Sequence, residues 1–180
     1  QFAHLSAGQI ASLTIEQMAN LAGDHLAALT TAQIVALRTA QVAALTGDTL
    51  TSLTTAQAAA LSSAQARALD VTALSSMETA DLAALNTGAV AVLRDAQIDA
   101  LSGDQLAALN SAQIRALSTT QMARLDADDV AALTSAQFAA MTTAQVASLS
   151  QVQFAALASE DLAAMGTAQL AALSPSNIAS

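Results

Sequence analysis

The 180-residue sequence contains no cysteine, lysine, tryptophan or tyrosine, and it has one proline and three phenylalanines. Without cysteine there is no disulfide framework and no thiol chemistry, which fits a cytosolic protein and a cysteine-free exported bacterial protein equally well. Aromatic residues reach only 2 % although apolar residues make up 54 %, so the apolar content is mostly alanine and leucine. Such small side chains favour closely spaced backbones over a thick globular core.

Positive charge is scarce and scattered. Five arginines are set against fourteen acidic residues, and the formal net charge is −9. Binding to nucleic acid or to an anionic membrane surface needs clustered cations, so we expect neither partner. Charged residues make up 11 % of the chain, against about a quarter in ordinary domains. We therefore expect the surface to consist largely of Thr, Ser, Gln and Asn.

Long hydrophobic runs are also missing. No stretch of about 18 consecutive apolar residues occurs, so the sequence predicts no membrane-spanning helix. The sequence begins with Gln1 rather than Met and shows no signal-peptide pattern. We interpret it as a processed mature chain or as a segment of a longer one.

A repeat of eight residues runs through the sequence. Written in rows of eight from Leu5, here called octads, the chain gives 22 rows without an insertion. Position one is Leu or Met in every octad, position six is apolar, and positions seven and eight are mainly Ala. Position five is Gln in 14 octads. The consensus is L-[ST]-[TS]-A-Q-[IVL]-A-A.

This period matches neither a continuous helix nor a strand. Eight helical residues advance two turns plus about 80°, so the leucines would spiral around the helix instead of forming a stripe. No supercoil absorbs that mismatch. Ala, Gln and Leu favour helix, and the β-branched residues do not alternate as they do in a strand.

Position two explains the period. It is Ser, Thr, Asp or Asn in 16 of 22 octads, usually with Gln or an acidic residue three positions later, as in Thr30 and Gln33. This pattern is the capping box that begins a helix. Pro175, directly after Ser174, fits the first turn of a helix in the same way. The sequence therefore predicts that every octad starts a new helix.

Six octads lack Ser, Thr, Asp and Asn at position two. For three of these we predict that position three supplies the cap instead, with Thr39 replacing Arg38, Asp95 replacing Arg94 and Thr167 replacing Gly166.

We therefore predict an all-α solenoid of very short capped helices, one per octad. Each helix has five or six residues and is followed by a bend near the position-one Leu. Because nucleation is costly, so short a helix persists only if it buries positions one and six against neighbouring octads, at about 1.5–3 kcal/mol per large aliphatic side chain. We expect residues 1–180 to form a single repeat domain of about 22 octads, either a segment of a longer array or a filament subunit.

Some features recur at three octads, or 24 residues. The stretches AGDHL and TGDTL begin at 22 and 46, and SGDQL and DADDV begin at 102 and 126. Position-six Leu recurs at 26, 50 and 74, and then at 82 and 106, with a shift in phase between 74 and 82. Three octads per coil would give a triangular cross-section of about seven coils, and the shift in phase leaves other numbers open.

No residue has a clear role in chemistry, so we expect no catalytic, cofactor-binding or metal-binding residues and no cofactor. His4 and His25 lack the Ser, Cys or second His that a triad or a zinc site needs, and we expect them to be exposed. In the acidic cluster, Asp126 fits an N-cap, and Asp128 and Asp129 fit the first helical turn. A weak cation site is the alternative for this cluster.

Two further motifs have structural explanations. In the Gly-Asp pairs at 23–24, 47–48 and 103–104, Gly relieves a tight corner and Asp supplies first-turn charge; a ligand-binding ridge is the alternative. Threonine pairs such as Thr30-Thr31 suit ice binding, but the same columns hold Arg38 and Glu78, whose bulk and charge a lattice-matching face would not tolerate. The five methionines are expected to replace Leu or Ile in the core.

The stretches LTTAQIVALRTAQVAAL (29–45) and LTSAQFAAMTTAQVASL (133–149) resemble the L-T-T-A-Q-[IV]-x-A octapeptide tracts of very large repetitive secreted or surface proteins of proteobacteria. The resemblance covers almost the whole chain, from Leu5 to Ser180. It implies an extracellular or cell-surface structural role without catalytic residues.

Two functional hypotheses follow. The first is a non-catalytic structural module that acts as a stalk, spacer or filament building block. Its octads continue to both ends without a polar cap, so we expect either further repeats or end-to-end self-association. The alternative is a binding module that presents a Thr/Ser/Gln-rich face to a glycan, a protein or ice. We do not expect an enzyme, because no acid, base and nucleophile stand together.

Overall fold

The computed structural model describes residues 4–173, and all regular secondary structure in this part of the chain is helical. The prediction of an all-α, solenoid-like fold of very short helices is confirmed. The chain divides into two compact units, Gln1–Ala100 and Leu101–Ser180, and each is described by itself. No helix in the described residues is long and apolar enough to cross a membrane. Ser174 and Pro175 lie outside the described residues.

The helices have four to six residues each. The first unit contains α1 (Ala7–Ser12), α2 (Ile15–Ala19), α3 (Gly23–Ala27), α4 (Thr31–Ala36), α5 (Thr39–Val42), α6 (Gly47–Leu50), α7 (Thr55–Ala60), α8 (Ser63–Ala68), α9 (Val71–Ser75), α10 (Thr79–Ala84), α11 (Thr87–Ala91) and α12 (Asp95–Ile98). The second unit contains α13 (Gly103–Ala108), α14 (Ser111–Ala116), α15 (Thr119–Met122), α16 (Ala127–Ala132), α17 (Ser135–Ala140), α18 (Thr143–Ala147), α19 (Gln151–Ala155), α20 (Ser159–Ala164) and α21 (Thr167–Ala171).

Each helix packs against the third helix before or after it in the chain. In the first unit this gives three stacks: α1, α4, α7 and α10; α2, α5, α8 and α11; and α3, α6, α9 and α12. In the second unit the stacks are α13, α16 and α19; α14, α17 and α20; and α15, α18 and α21. Three octads therefore make one coil within each unit, as the 24-residue recurrence indicates. The shift from Leu74 to Leu82 only changes which stack of the first unit carries Leu at position six.

The local geometry of an octad follows the capping-box prediction. At the start of α4, Thr30 is extended (φ −74°, ψ 159°), and its hydroxyl accepts a hydrogen bond from the Gln33 N–H at 3.3 Å. The Gln33 Oε1 in turn accepts from the Thr30 N–H at 2.6 Å. The helix ends at Ala36, and the next residue, Leu37, is again extended (φ −62°, ψ 134°). Each octad thus turns near its position-one residue.

The prediction that position three replaces a missing cap is wrong. The N-cap residue is still Arg38, Arg94 or Gly166, and no side chain at that position caps the helix. The position-five Gln nevertheless accepts from the N-cap N–H, at 2.8, 2.8 and 2.7 Å respectively. Half of the capping box is enough here, because packing in the stack fixes where the helix begins.

The core of each unit consists of positions one and six. Leu106 and Phe138 at position six are 0 % exposed, and Leu109 at position one is 3 % exposed. The five methionines are core residues, as predicted: Met18, Met77, Met122, Met141 and Met165 are all buried. Position six thus accepts side chains from Ala58 to Phe138, both fully buried.

Truncating the core should cost more than removing a cap. We expect Leu109→Ala to lower the free energy of unfolding by about 2–5 kcal/mol, because it leaves a cavity in the core. Thr134→Ala, which removes the hydroxyl that caps α17, should lower it by about 0.5–2 kcal/mol. Urea unfolding followed by circular dichroism measures both. Equal costs, or no cost for either, would contradict the stacked-helix account.

Candidate functional site

The position-five glutamines lie inside the protein, so the prediction that Gln belongs to the surface is wrong for most of them. Twelve of the fourteen are at most 7 % exposed. We call these buried residues the glutamine ladder: Gln33, Gln41, Gln57, Gln65, Gln97, Gln105, Gln113, Gln121, Gln137, Gln145, Gln153 and Gln169.

Gln57 shows what a ladder residue does. Its Oε1 accepts from the Thr54 N–H at 2.9 Å and so completes the capping box of α7. Its Nε2 donates to the carbonyl oxygens of Leu26 and Leu29, at 2.8 and 2.7 Å. These two carbonyls lie at the corner between α3 and α4, one coil earlier. One side-chain amide therefore begins its own helix and fastens it to the preceding coil.

The same pair of bonds recurs through both units. In each case Nε2 donates to the carbonyls 31 and 28 residues earlier, at 2.6–3.0 Å, for Gln41, Gln57, Gln65, Gln97, Gln137, Gln145, Gln153 and Gln169. A short helix leaves its last carbonyls without an intrahelical partner, and the ladder supplies donors to them.

The first described coil shows that this burial depends on a preceding coil. Gln9 and Gln17 are exposed, although they complete their capping boxes with bonds of 2.7 and 2.8 Å from the Ser6 and Thr14 N–H groups. The sequence did hold a signal for the ladder. Glu would serve a capping box as well as Gln does, so the preference for Gln indicates that the amide donor is needed.

Some octads replace the ladder Gln. At Thr49 a hydroxyl donates to the Leu21 carbonyl at 2.9 Å, which preserves one bond between coils. Asp81 is 3 % exposed and cannot donate as a carboxylate. Burial raises the pKa of Asp81. A hydrogen bond from Thr55 lowers this pKa in part, and the negative charge of Glu78 raises it further.

The histidines and the acidic cluster have ordinary positions. His4 and His25 are both exposed. His25, on α3, lines a cavity of about 310 Å³ together with Leu13, Gln17, Asn20 and Leu21. In the cluster, Asp126 is the N-cap of α16, and its carboxylate accepts from the Asp129 N–H at 2.8 Å. Within residues 4–173 no group of three or more His, Asp or Glu is placed to hold a metal ion.

The glycines of the Gly-Asp pairs are explained by contact between coils rather than by a turn. No glycine among the described residues has a positive φ. A Cβ on Gly23 would overlap the Ser52 side chain, and one on Gly47 would lie 2.6 Å from Ser76 Oγ. The predicted tight corner is therefore corrected to a close approach by the next coil. The prediction for Asp24 and Asp48 is confirmed, since both lie in first turns.

A shallow groove of about 460 Å³ opens on the first unit. We call it the basic groove, and its lining residues are Thr39, Ala40, Ala43, Ala64, Arg67, Ala68 and Arg94. Reasoning from the sequence treated the arginines as scattered, but the fold brings Arg67 and Arg94 to one place.

Comparison with known families gives one match. The family model described as the ALTTAQ repeat matches residues 18–55, 74–111, 104–135 and 122–159, which is more than half of the chain. The comparison with curated proteins and that with solved structures gave no match.

Removing a ladder amide should destabilise the protein far more than removing an exposed Gln. We expect Gln57→Ala to lower the free energy of unfolding by about 2–4 kcal/mol, because the buried Leu29 carbonyl loses the amide donor and the Leu26 carbonyl keeps only its backbone donors. Gln9→Ala is the matched control and should cost at most about 1 kcal/mol, since it loses only the cap bond. Urea unfolding measures both changes. A similar loss for the two variants would contradict the ladder's role.

Restoring the consensus at Asp81 should stabilise the protein. Asp81→Gln removes a desolvated carboxylate and provides a donor for the Leu50 and Leu53 carbonyls, so we expect a gain of about 1–3 kcal/mol at neutral pH. Because the pKa of Asp81 is raised in the folded state, its penalty is present at neutral pH and disappears as the pH falls through that raised pKa toward the ordinary 3.8. The gain should shrink over the same range.

Thermal unfolding between pH 3 and 7 checks this dependence on pH. Asp128→Gln, which changes the same charge at an exposed position, should give no gain at any pH. A gain for Asp81→Gln that does not depend on pH would argue against the buried carboxylate as its cause.

Proposed function

We propose that this chain, which belongs to the ALTTAQ repeat family, is a non-catalytic structural module, a stalk, spacer or filament building block at the bacterial cell surface. The glutamine ladder is the observation that supports this proposal best. Within each unit a coil is fastened to the preceding one by the same pair of hydrogen bonds, so length can be added coil by coil without a larger core.

The ladder also supports stiffness. Its donors and the carbonyls that they reach are buried, so they cannot exchange their partners for water without opening the coil. Stacks held in this way resist bending between coils more than stacks held by aliphatic contacts alone. A spacer needs both qualities, a set length and resistance to bending.

The extracellular part of the proposal is supported by the resemblance to octapeptide tracts of secreted and surface proteins. The surface of the chain is compatible with it, because a net charge of −9 favours solubility.

We also propose that coils of the same kind associate end to end, as a continued array or as copies of the chain. Leu170 at position six of the last described coil is 39 % exposed, whereas Val146 in the coil before it is 0 % exposed. Gln9 and Gln17 in the first described coil present exposed amides. A coil added after the last one would bury Leu170. A coil added before the first one would give the amides of Gln9 and Gln17 their two carbonyl acceptors.

Small-angle scattering and sedimentation over a range of concentrations test this proposal. A spacer predicts an elongated particle, and end-to-end association predicts a mass that grows with concentration. Leu170→Asp should suppress the growth, whereas Val152→Asp, at another exposed apolar residue of the last coil (68 % exposed), should not. A compact particle would contradict the spacer, and a monomer at every concentration would contradict the association.

A second candidate function, the presentation of a binding face, is favoured by rows of threonine. Thr119, Thr143 and Thr167 occupy position three in the stack of α15, α18 and α21, and all three are exposed. Thr31, Thr55 and Thr79 form a similar row on α4, α7 and α10, next to Glu78. Specific binding on a glycan array, or inhibition of ice recrystallisation, would favour this function over a pure spacer.

A further inference from the structure

We propose that the basic groove binds a compact oxyanion, a carboxylate or a sulfate, carried by a molecule about the size of one sugar unit. This assigns a ligand to the first unit and goes beyond a structural role. The proposal depends on how Arg67 and Arg94 are held, on what they contact, and on what else lines the groove.

The two arginines are departures from the repeat that meet at one place. Arg67 stands at position seven, where the consensus is Ala, and Arg94 stands at position two, where it is Ser or Thr. Neither residue is required by the octad pattern, because Arg67 lies in the last turn of α8, where most other octads have Ala, and Arg94 leaves α12 without a side-chain cap. They are 27 residues apart in sequence, yet both line the basic groove.

Hydrogen bonds to the backbone fix both guanidinium groups. Arg67 Nη1 donates to the Val92 carbonyl at 3.0 Å. Arg94 Nε donates to the Arg67 carbonyl at 3.1 Å, and its Nη2 donates to the Leu69 carbonyl at 2.9 Å. The side chains are therefore ordered before a ligand arrives, and binding does not have to immobilise them.

Their charge is not neutralised by these contacts. Among the described residues the two guanidinium groups contact carbonyl oxygens and no carboxylate, so most N–H groups of Arg67 remain available. The planar fork of a guanidinium matches the two oxygens of a carboxylate or sulfate. Two such groups lining one groove, in a chain of net charge −9, make a local positive field that an oxyanion would offset.

The remaining lining of the groove suits a small uncharged group. Ala40, Ala43, Ala64 and Ala68 line it with methyl groups, and Thr39, which is exposed, adds a hydroxyl group. A sugar ring could lie on the alanines while its acidic group reaches the arginines.

Isothermal titration calorimetry with galacturonate, inorganic sulfate and neutral galactose tests the proposal on the whole chain. We expect galacturonate and sulfate to bind and galactose not to bind. Arg67→Gln should weaken galacturonate binding at least about tenfold, as expected for the loss of a charge-assisted hydrogen bond. Arg115→Gln removes the same charge from position seven of α14 and should leave the binding unchanged.

A second variant changes the shape of the groove without changing its charge, and its folding is checked independently. Ala64→Leu fills the groove at an exposed position, keeps every charge and should abolish binding, with its thermal unfolding checked against the wild-type chain. The proposal would be overturned by no binding of either anion, by equal weakening in Arg115→Gln, by unchanged binding in Ala64→Leu, or by equal binding of galactose. Sulfate binding without galacturonate binding would overturn the sugar-sized ligand.

Discussion

A helix of four to six residues has more unpaired backbone groups at its ends than hydrogen bonds inside it, and this constraint governs the whole structure. Every octad must find partners for the N–H groups at its start and for the carbonyls at its end. The side-chain amide of Gln meets both needs at once, because Oε1 accepts from the N-cap N–H and Nε2 donates to carbonyls one coil earlier. Alanine at positions seven and eight then allows the close spacing that these bonds require.

Because the recurring pair of ladder bonds involves only positions one, five and six, the other positions can vary. In the described residues position three carries Thr, Ser, Gly, Ala, Asp, Ile, Val or Gln, and position seven carries Ala, Val, Arg, Asp, Ser or Thr, without a change in the backbone register. The two features proposed for binding use these variable positions. The threonine rows lie at position three, and the basic groove has Arg67 at position seven and Arg94 at the position-two site of α12, a helix that forms without a side-chain cap. The exposed side chains can therefore change largely without altering the backbone of the coils.

The short helices and most of their caps were predicted from the sequence, since they leave a periodic trace, and the same trace indicated three octads per coil without excluding other numbers. Reasoning from the sequence did not predict the burial of Gln57 and its equivalents. The capping box is local and uses only the oxygen of the amide, whereas the bonds of the nitrogen span 28 and 31 residues and depend on how coils stack. The same limit explains Gly23, where the next coil approaches, and Arg38, where packing replaces a cap. The meeting of Arg67 with Arg94 is likewise visible only after folding.

The central claim is that the side-chain amides of the ladder are buried hydrogen-bond donors between coils. Hydrogen exchange of the Gln side-chain NH₂ groups, followed by NMR, tests it most directly. The account predicts that the amides of Gln57 and Gln145 are strongly protected, while those of Gln9 and Gln17 exchange at the rate of free glutamine. Fast exchange at Gln57 and Gln145 would contradict it.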